Sequence, residues 1–294
     1  MNMNARALDD KPIPATGAGH VTANAMTIDV EDYFQVSAFE HAIDPADWDS
    51  IACRVEANID RLLQMFAEHN AKATFFTLGY IAQRYPQLIK RIVEQGHELA
   101  SHGFMHKRAT DQSQSEFQQD IGSAKKLLED LTGQSVVGYR APSFSFNEQN
   151  PWVYDALAAE GYQYSSSVYP VKHDHYGIPD APRFKYKTDS GVDEIPLSTL
   201  PIMGKNIPIS GGGFFRLYPY PLTRWAVKRF AATEAQPYIF YLHPWEVDPQ
   251  QPRVDGISAK SRFRHYLNLS KVEGRLNNML SDFEWSSMKA IYGY

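Results

Sequence analysis

The chain has 294 residues, 43% of them apolar and 13% aromatic, with 21% charged and a formal net charge of −5. This supplies a sizeable core and excludes a mostly disordered chain. No run approaches 18 apolar residues, no long basic face exists for nucleic acid, and the single cysteine, Cys53, rules out a disulfide framework or a multi-cysteine zinc site.

Residues 1–20 are polar and rich in Ala, Gly and Pro, without an apolar core behind a basic start, so they are expected to form a disordered leader, not a secretory signal. That points to a cytoplasmic protein without a transmembrane segment. Residues 25–30 read as a first strand. Residues 54–69 place Val55, Ile59, Leu62, Leu63 and Phe66 on one helical face. Residues 73–78 are a strand, Pro86 opens a helix that Gly96 closes, and residues 97–101 are a short strand. Ser113 and Glu116 form a capping box for a helix with Phe117, Ile121, Ala124, Leu127, Leu128 and Leu131 inward. Residues 135–139 are a strand, Asn150-Pro151 caps the next helix, and Gly161 follows its end. Residues 162–166, 193–197 and 237–242 are further strands, and Val272, Leu276, Met279 and Leu280 mark a helical tail. The stretch 167–220, rich in Pro, Gly and Tyr, is expected as loops and hairpins over one end of the sheet. Strand–helix alternation predicts an α/β fold with a parallel sheet, open or closed as a barrel, whose sites lie at the strand C-termini.

Four of those strand ends carry ionisable clusters. Asp29-Val30-Glu31-Asp32 crowds three carboxylates, tolerable around a cation or facing different ways. His102 and His106 are four apart, a spacing that puts two imidazoles on one face of a helical turn. Ten histidines in 294 positions give about 0.3 such pairs by chance, so position adds more than spacing. His97, at the start of its strand, reads as structural. Arg140 ends a strand before Pro142, placed to hold a carboxylate ionised or to sit at the surface. His243 ends an apolar strand as a general acid or a structural histidine, with Glu246 and Asp248 as orienting partners or loop charges. A 2-His-1-carboxylate set holds Zn²⁺ with a reactive water or ferrous iron; the extra base and acid favour hydrolysis. Gly211–Gly213 lacks the Lys-Ser/Thr of a phosphate loop and reads as a tight loop of close backbone approach. Cys53 reads as a small apolar filler.

TIDVED at 27–32, SHGFMH at 101–106, YRAPSF at 139–144, EIPLS at 194–198 and YLHPWE at 241–246 resemble, in order, the motifs of the polysaccharide deacetylase family, carbohydrate esterase family four or NodB-homology. SGGGFFRLYP and HPWEVDPQQPR resemble its branch associated with exopolysaccharide and exosortase loci. The resemblance implies a distorted (β/α)₇ barrel over residues 21–294 as one catalytic domain with a C-terminal helical extension. It also implies metal-dependent removal of acetyl from an N-acetylated oligo- or polysaccharide, in exopolysaccharide biosynthesis, with a divalent metal, Zn²⁺ foremost. His102 and His106 match the metal histidines, Asp29 the base, Arg140 its partner and His243 the general acid. The family has adjacent aspartates where this chain has Asp29-Val30, so Asp32 is assigned to the metal with Glu31 as the alternative carboxylate. A backbone N–H near Tyr139–Ser143 would face the oxyanion, and Trp245, Phe214, Tyr218 and Tyr169 are candidates to stack on sugars, or core aromatics. The competing readings are an allantoinase-like hydrolase of a small amide and a non-catalytic carbohydrate-binding protein. Nothing in the sequence sets the oligomeric state.

Overall fold

A computed structural model describes residues 23–173 and 177–294; the expected leader lies outside them. The elements in chain order are β1 (Asn24–Val30), α1 (Val55–Glu68), β2 (Thr74–Thr77), α2 (Gly79–Arg84), α3 (Pro86–Glu94), β3 (Glu98–Ser101), α4 (Gln114–Thr132), β4 (Gly138–Tyr139), α5 (Val153–Ala159), β5 (Tyr164–Ser165), β6 (Tyr186–Lys187), β7 (Asp193–Glu194), β8 (Thr199–Ile202), β9 (Lys205–Pro208), α6 (Gly212–Leu217), α7 (Tyr220–Glu234), β10 (Ile239–Leu242), α8 (Ala259–Tyr266), α9 (Val272–Asp282), β11 (Trp285–Ser286) and α10 (Met288–Tyr292).

The main sheet runs β10-β1-β2-β3-β4-β5-β7-β6, with β11 also on β1. All its pairings are parallel except β6 with β7. The strands curl around a lumen, and among the described residues no ladder closes it. Between the chain after β7 and β10 the gap is bridged by side chains: Ile239 N donates to Ser198 Oγ at 2.9 Å, and Ser210 Oγ donates to Ser198 O at 3.2 Å and to Ile239 O. This is the expected distorted (β/α)₇ architecture. Between β7 and α6, β8 and β9 make the expected hairpin.

Strand alternation sorts the core into two. Met26, Ile28, Val30, Phe75 and Leu99 face outward and join the helices in one cluster. Ala25, Phe76, Ala100, Ile239 and Tyr241 face the lumen in another. The predicted face of α1 is fully used: Val55, Ile59, Leu62, Leu63 and Phe66 are buried, each worth about 1.5–3 kcal/mol. Ser113 and Glu116 close the capping box, and α4 ends on left-handed Gly133.

Several expectations shift. Strands β4 and β5 have two ladder residues each, although Gln163 N to Val137 O (2.8 Å) and Ser166 N to Tyr139 O (2.9 Å) extend the pairing irregularly. Helix α5 starts at Val153 without a side-chain cap. Asn150 instead ties its own loop, accepting from Asn147 N and donating to Ser145 O. Helix α2 was not anticipated; its six residues fall between a strand and Pro86 and bury Ile81 and Ala82. The tail is helical in α9 and α10 but also supplies β11. Helix α10 and the chain end reach the N-terminal mouth of the lumen, where the Tyr294 ring stacks on Tyr164 at 4.8 Å. No described helix is long and apolar enough to cross a membrane.

Candidate metal and catalytic site

The C-terminal ends of β1, β3, β4 and β10 deliver Asp29, Glu31, His102, His106, Arg140 and His243 to one end of the lumen. Asp29 follows Ala25 and Thr27 inward on β1; just past the strand end, where Glu31 N donates to Asp29 O at 2.9 Å, Glu31 also meets the histidines while Asp32 turns outward. The Asp32 carboxylate accepts from Tyr33 N (2.7 Å), Arg54 N and Val55 N (2.9 Å), capping α1 from a distance. This corrects the assignment of Asp32 to the metal: its oxygens are used by backbone, and the alternative carboxylate, Glu31, meets the histidines.

Glu31, His102 and His106 each place a ligand atom within 4.8 Å of the others. His106 Nε2 lies 2.7 Å from Glu31 Oε2, yet that oxygen, buried, has no hydrogen-bond partner. These two atoms and one imidazole nitrogen of His102 lie close enough together to share one cation. His102 Nδ1 is 2.8 Å from Arg140 O, the backbone contact that orients a ligating imidazole and leaves Nε2 for the ion. Burial pushes His102 down to about 4, so it is neutral. Burial alone would raise Glu31; the imidazoles of His106 and His243 outweigh it and bring the carboxyl down to about 2. Two imidazoles and a carboxylate, with Glu31 ionised and His102 neutral, are a donor set that fits a divalent cation.

The histidine pair does not lie on a helical turn, as its spacing suggested. It spans a loop in which Gly103 and His106 are left-handed at φ 75° and 54°. The loop is fixed from both sides: Asp120 on α4 accepts from Phe104 N (2.8 Å) and Met105 N (3.4 Å), and Gly79 N and Tyr80 N donate to Gly103 O and Phe104 O. A Cβ on Gly103 would also collide with the Asp120 carboxylate.

Arg140 is fully buried in the lumen. Its Nη1 reaches Asp29 Oδ1 (2.7 Å) and Thr27 Oγ1 (2.8 Å), its Nε and Nη2 reach Ser166, and the guanidinium lies 4.1 Å over Phe76. His243 is the more open member: its Nε2 is 3.5 Å from Glu31 Oε1 and 4.0 Å from Asp29 Oδ2, and its Nδ1 is 3.2 Å from Glu246 Oε2. Burial opposes the charge on this ring, but Glu31 and Glu246 outweigh it and hold His243 up at about 9. Glu246 is therefore its orienting partner, whereas Asp248 pairs with Arg54.

Of the proposed sugar platforms, Trp245 and Tyr169 are corrected. Trp245 is buried between the rings of His243 (5.1 Å) and His265 (4.0 Å), and Tyr169 is buried with its hydroxyl on Ser210 O. Phe214 and Tyr218 stack on each other at 6.0 Å and stay half-buried. His97 is structural, its Nδ1 accepting from Ala73 N at 3.1 Å. Cys53 is half-buried; burial and the neighbouring Asp32 push its thiol up to about 12, so it is inert. Sequence reasoning missed Asp120, His265 and Arg216 as parts of the surround; each acts through tertiary contacts that carry no local signal.

Residues 47–164 match the family Polysaccharide deacetylase, and residues 166–293 match Domain of unknown function (DUF3473). The sheet continues across that boundary through β5, which pairs with β4 and β7. The chain is 29% identical over 113 residues to the Peptidoglycan deacetylase of Helicobacter pylori, covering 38% of each. It is 34% identical over 87 residues to the Chitooligosaccharide deacetylase of Azorhizobium caulinodans, covering 29% of this chain and 41% of that protein. The matches thus span well under two thirds of those relatives. A putative polysaccharide deacetylase from Mycobacterium smegmatis has the same fold at 20% identity, with TM-score 0.63 over 96% of this chain and 93% of that one.

Proposed function

We propose that this chain, whose residues 47–164 match the polysaccharide deacetylase family, hydrolyses N-acetyl groups from an N-acetylated sugar polymer or its precursor, with a divalent cation, Zn²⁺ foremost, held by Glu31, His102 and His106. The observation that carries this reading is the convergence of those three donors with Asp29, Arg140 and His243 at one end of the sheet. The bound cation would supply Lewis acidity toward the acetamide oxygen and a water of lowered pKa. Asp29, its Oδ1 held by Arg140, accepts the water's proton at Oδ2. His243, held through Nδ1 by Glu246, delivers a proton from Nε2 to the departing sugar amine. In the segment 139–143, Tyr139 is paired in the β4–β5 ladder, Arg140 N and Ala141 N are taken by Ser101 O and Ser167 Oγ and Pro142 has no N–H, so Ser143 N is the donor we assign to the oxyanion. Phe214 and Tyr218 remain as sugar platforms. The SGGGFFRLYP and HPWEVDPQQPR wording supports an exopolysaccharide as the polymer.

The test is metal content together with acetate release from N-acetylated chitooligosaccharides, for the wild type and for His102→Ala and His106→Ala. The expected result is one divalent ion per chain and acetate release, both lost in each variant. Metal-free wild type after zinc addition overturns the cation. Turnover of allantoin without acetate from any glycan overturns the substrate class, and glycan binding without turnover overturns the enzyme.

A further inference from the structure

The glycine run at 211–213 has no part in the chemistry above, yet its first two members, Gly211 and Gly212, sit in tight surroundings while Gly213 faces open space. A Cβ on Gly211 would overlap the Tyr241 ring, and one on Gly212 would overlap the Glu246 carboxylate. The run therefore lets the start of α6 press directly against Glu246. One turn later the same helix presents Arg216, almost fully buried, whose Nε donates to Glu246 Oε1 at 2.7 Å. Its Nη1 is shared by three carbonyls at the end of α8: Arg264 O (2.9 Å), His265 O (2.7 Å) and Leu267 O (3.2 Å). The Arg216 guanidinium also lies 5.3 Å from the Trp245 ring, the one inserted between His243 and His265.

Glu246 divides its two oxygens cleanly. Oε1 goes to Arg216; Oε2 takes both His243 N (2.9 Å) and His243 Nδ1 (3.2 Å). We propose that Arg216, seated by Gly211 and Gly212, is a positioning residue that acts through Glu246 to fix the ring plane of His243 and keep its proton on Nδ1 while Nε2 faces the site. This rests on the reading of His243 as the group facing the substrate amine. Arginine suits the task because its rigid planar fork binds the carboxylate and the α8 carbonyls in one orientation; the flexible point charge of lysine does not. The DUF3473 half of the chain thus contributes a support beneath His243 as well as the strand that bears it.

The experiment uses full-length protein with ¹⁵N-labelled histidine and follows the hydrogen-bonded Nδ1–H resonance of His243, assigned by its loss in His243→Gln, beside kcat, KM and metal content. In the wild type that resonance is present. In Arg216→Lys, Arg216→Ala and Gly212→Ala it is lost or exchange-broadened, kcat falls roughly 10–100-fold, and KM stays within roughly two-fold. Metal content is unchanged, and added guanidinium restores part of the kcat of Arg216→Ala. If Arg216→Ala does not fold, Arg216→Lys decides. A wild type lacking the Nδ1–H signal, or variants that keep both signal and kcat, overturns the proposal. Absence of acetate release from the wild type alongside a resonance that responds to Arg216 instead overturns the deacetylase reading and leaves this coupling standing.

Discussion

The two mouths of the lumen each bury a carboxylate, Glu31 at the C-terminal ends of the strands and Glu98 at the N-terminal ends, in opposite surroundings. Glu98 takes Thr74 Oγ1 (2.6 Å) and Lys289 N (2.8 Å) on Oε2 and Tyr164 OH (2.7 Å) on Oε1, and Met288 N donates onward to Thr74. Both of its oxygens are satisfied by groups of the fold, so it closes the floor. Glu31 has one oxygen without a hydrogen bond and three imidazoles about it. Burial raises Glu98, with its hydrogen-bond donors only partly opposing, whereas neighbouring cations lower Glu31. A buried carboxylate with both oxygens satisfied by the fold is architecture; one with an oxygen left open among imidazoles is a candidate ligand site.

The largest expected effect at the upper mouth is from Glu31→Gln, which loses the metal and roughly 10³-fold in kcat/KM, while Asp32→Asn keeps both. Metal analysis and acetate release check this; the reverse pattern breaks the distinction between inward and outward carboxylates. Next, Arg140→Ala leaves the Asp29 charge buried and unpaired and lowers unfolding free energy by about 3–5 kcal/mol in urea titrations, with acetate release also lost. At the floor, Glu98→Ala orphans three donors and costs about 2–3 kcal/mol, but metal content stays as in the wild type. The smallest effect is one of pH. Folding raises Glu98 above its ordinary 4.5, so the stability it contributes is full below that value and is lost as pH rises through the folded one. The stability difference between wild type and Glu98→Gln therefore moves against the wild type from acid to neutral pH; a pH-independent difference would show that Glu98 does not titrate in the folded chain.

The strand ends were legible because apolar runs stopping at Asp29, Ser101, Tyr139 and Leu242 mark both a buried strand and the edge where polar groups begin. The histidines were found for that reason, and their loop conformation was not, because spacing of four is also met by Gly103 and His106 at positive φ. The carboxylates were readable only in part: period-two alternation puts Asp29 inward, but Glu31 and Asp32 lie past the strand end, where that alternation no longer applies. Aromatic roles were not readable, since Trp245 and Phe214 look alike in sequence and differ only in what covers them. Arg216 lay beyond reach because its partner, Glu246, is 30 residues away and reached only through packing.

Strand β1 sits between β2 and β10, and Thr27 donates to Phe240 O across 213 residues of chain. During synthesis at roughly 5–20 residues per second, one edge of β1 therefore waits about 10–40 s for its neighbour. Asp29 and Glu31 face no His243 during that interval, and an apolar strand stands with unsatisfied amides. Nascent chains stalled before residue 237 should be cut readily by protease and captured by holdase chaperones, and those stalled far enough past residue 242 for β10 to clear the ribosome should resist; equal resistance would mean that β1 finds temporary cover from elsewhere in the chain. Strand β1, the first of the described strands, is thus completed by one of the last of them, and the birth order of the polypeptide becomes a constraint on how it survives its own synthesis.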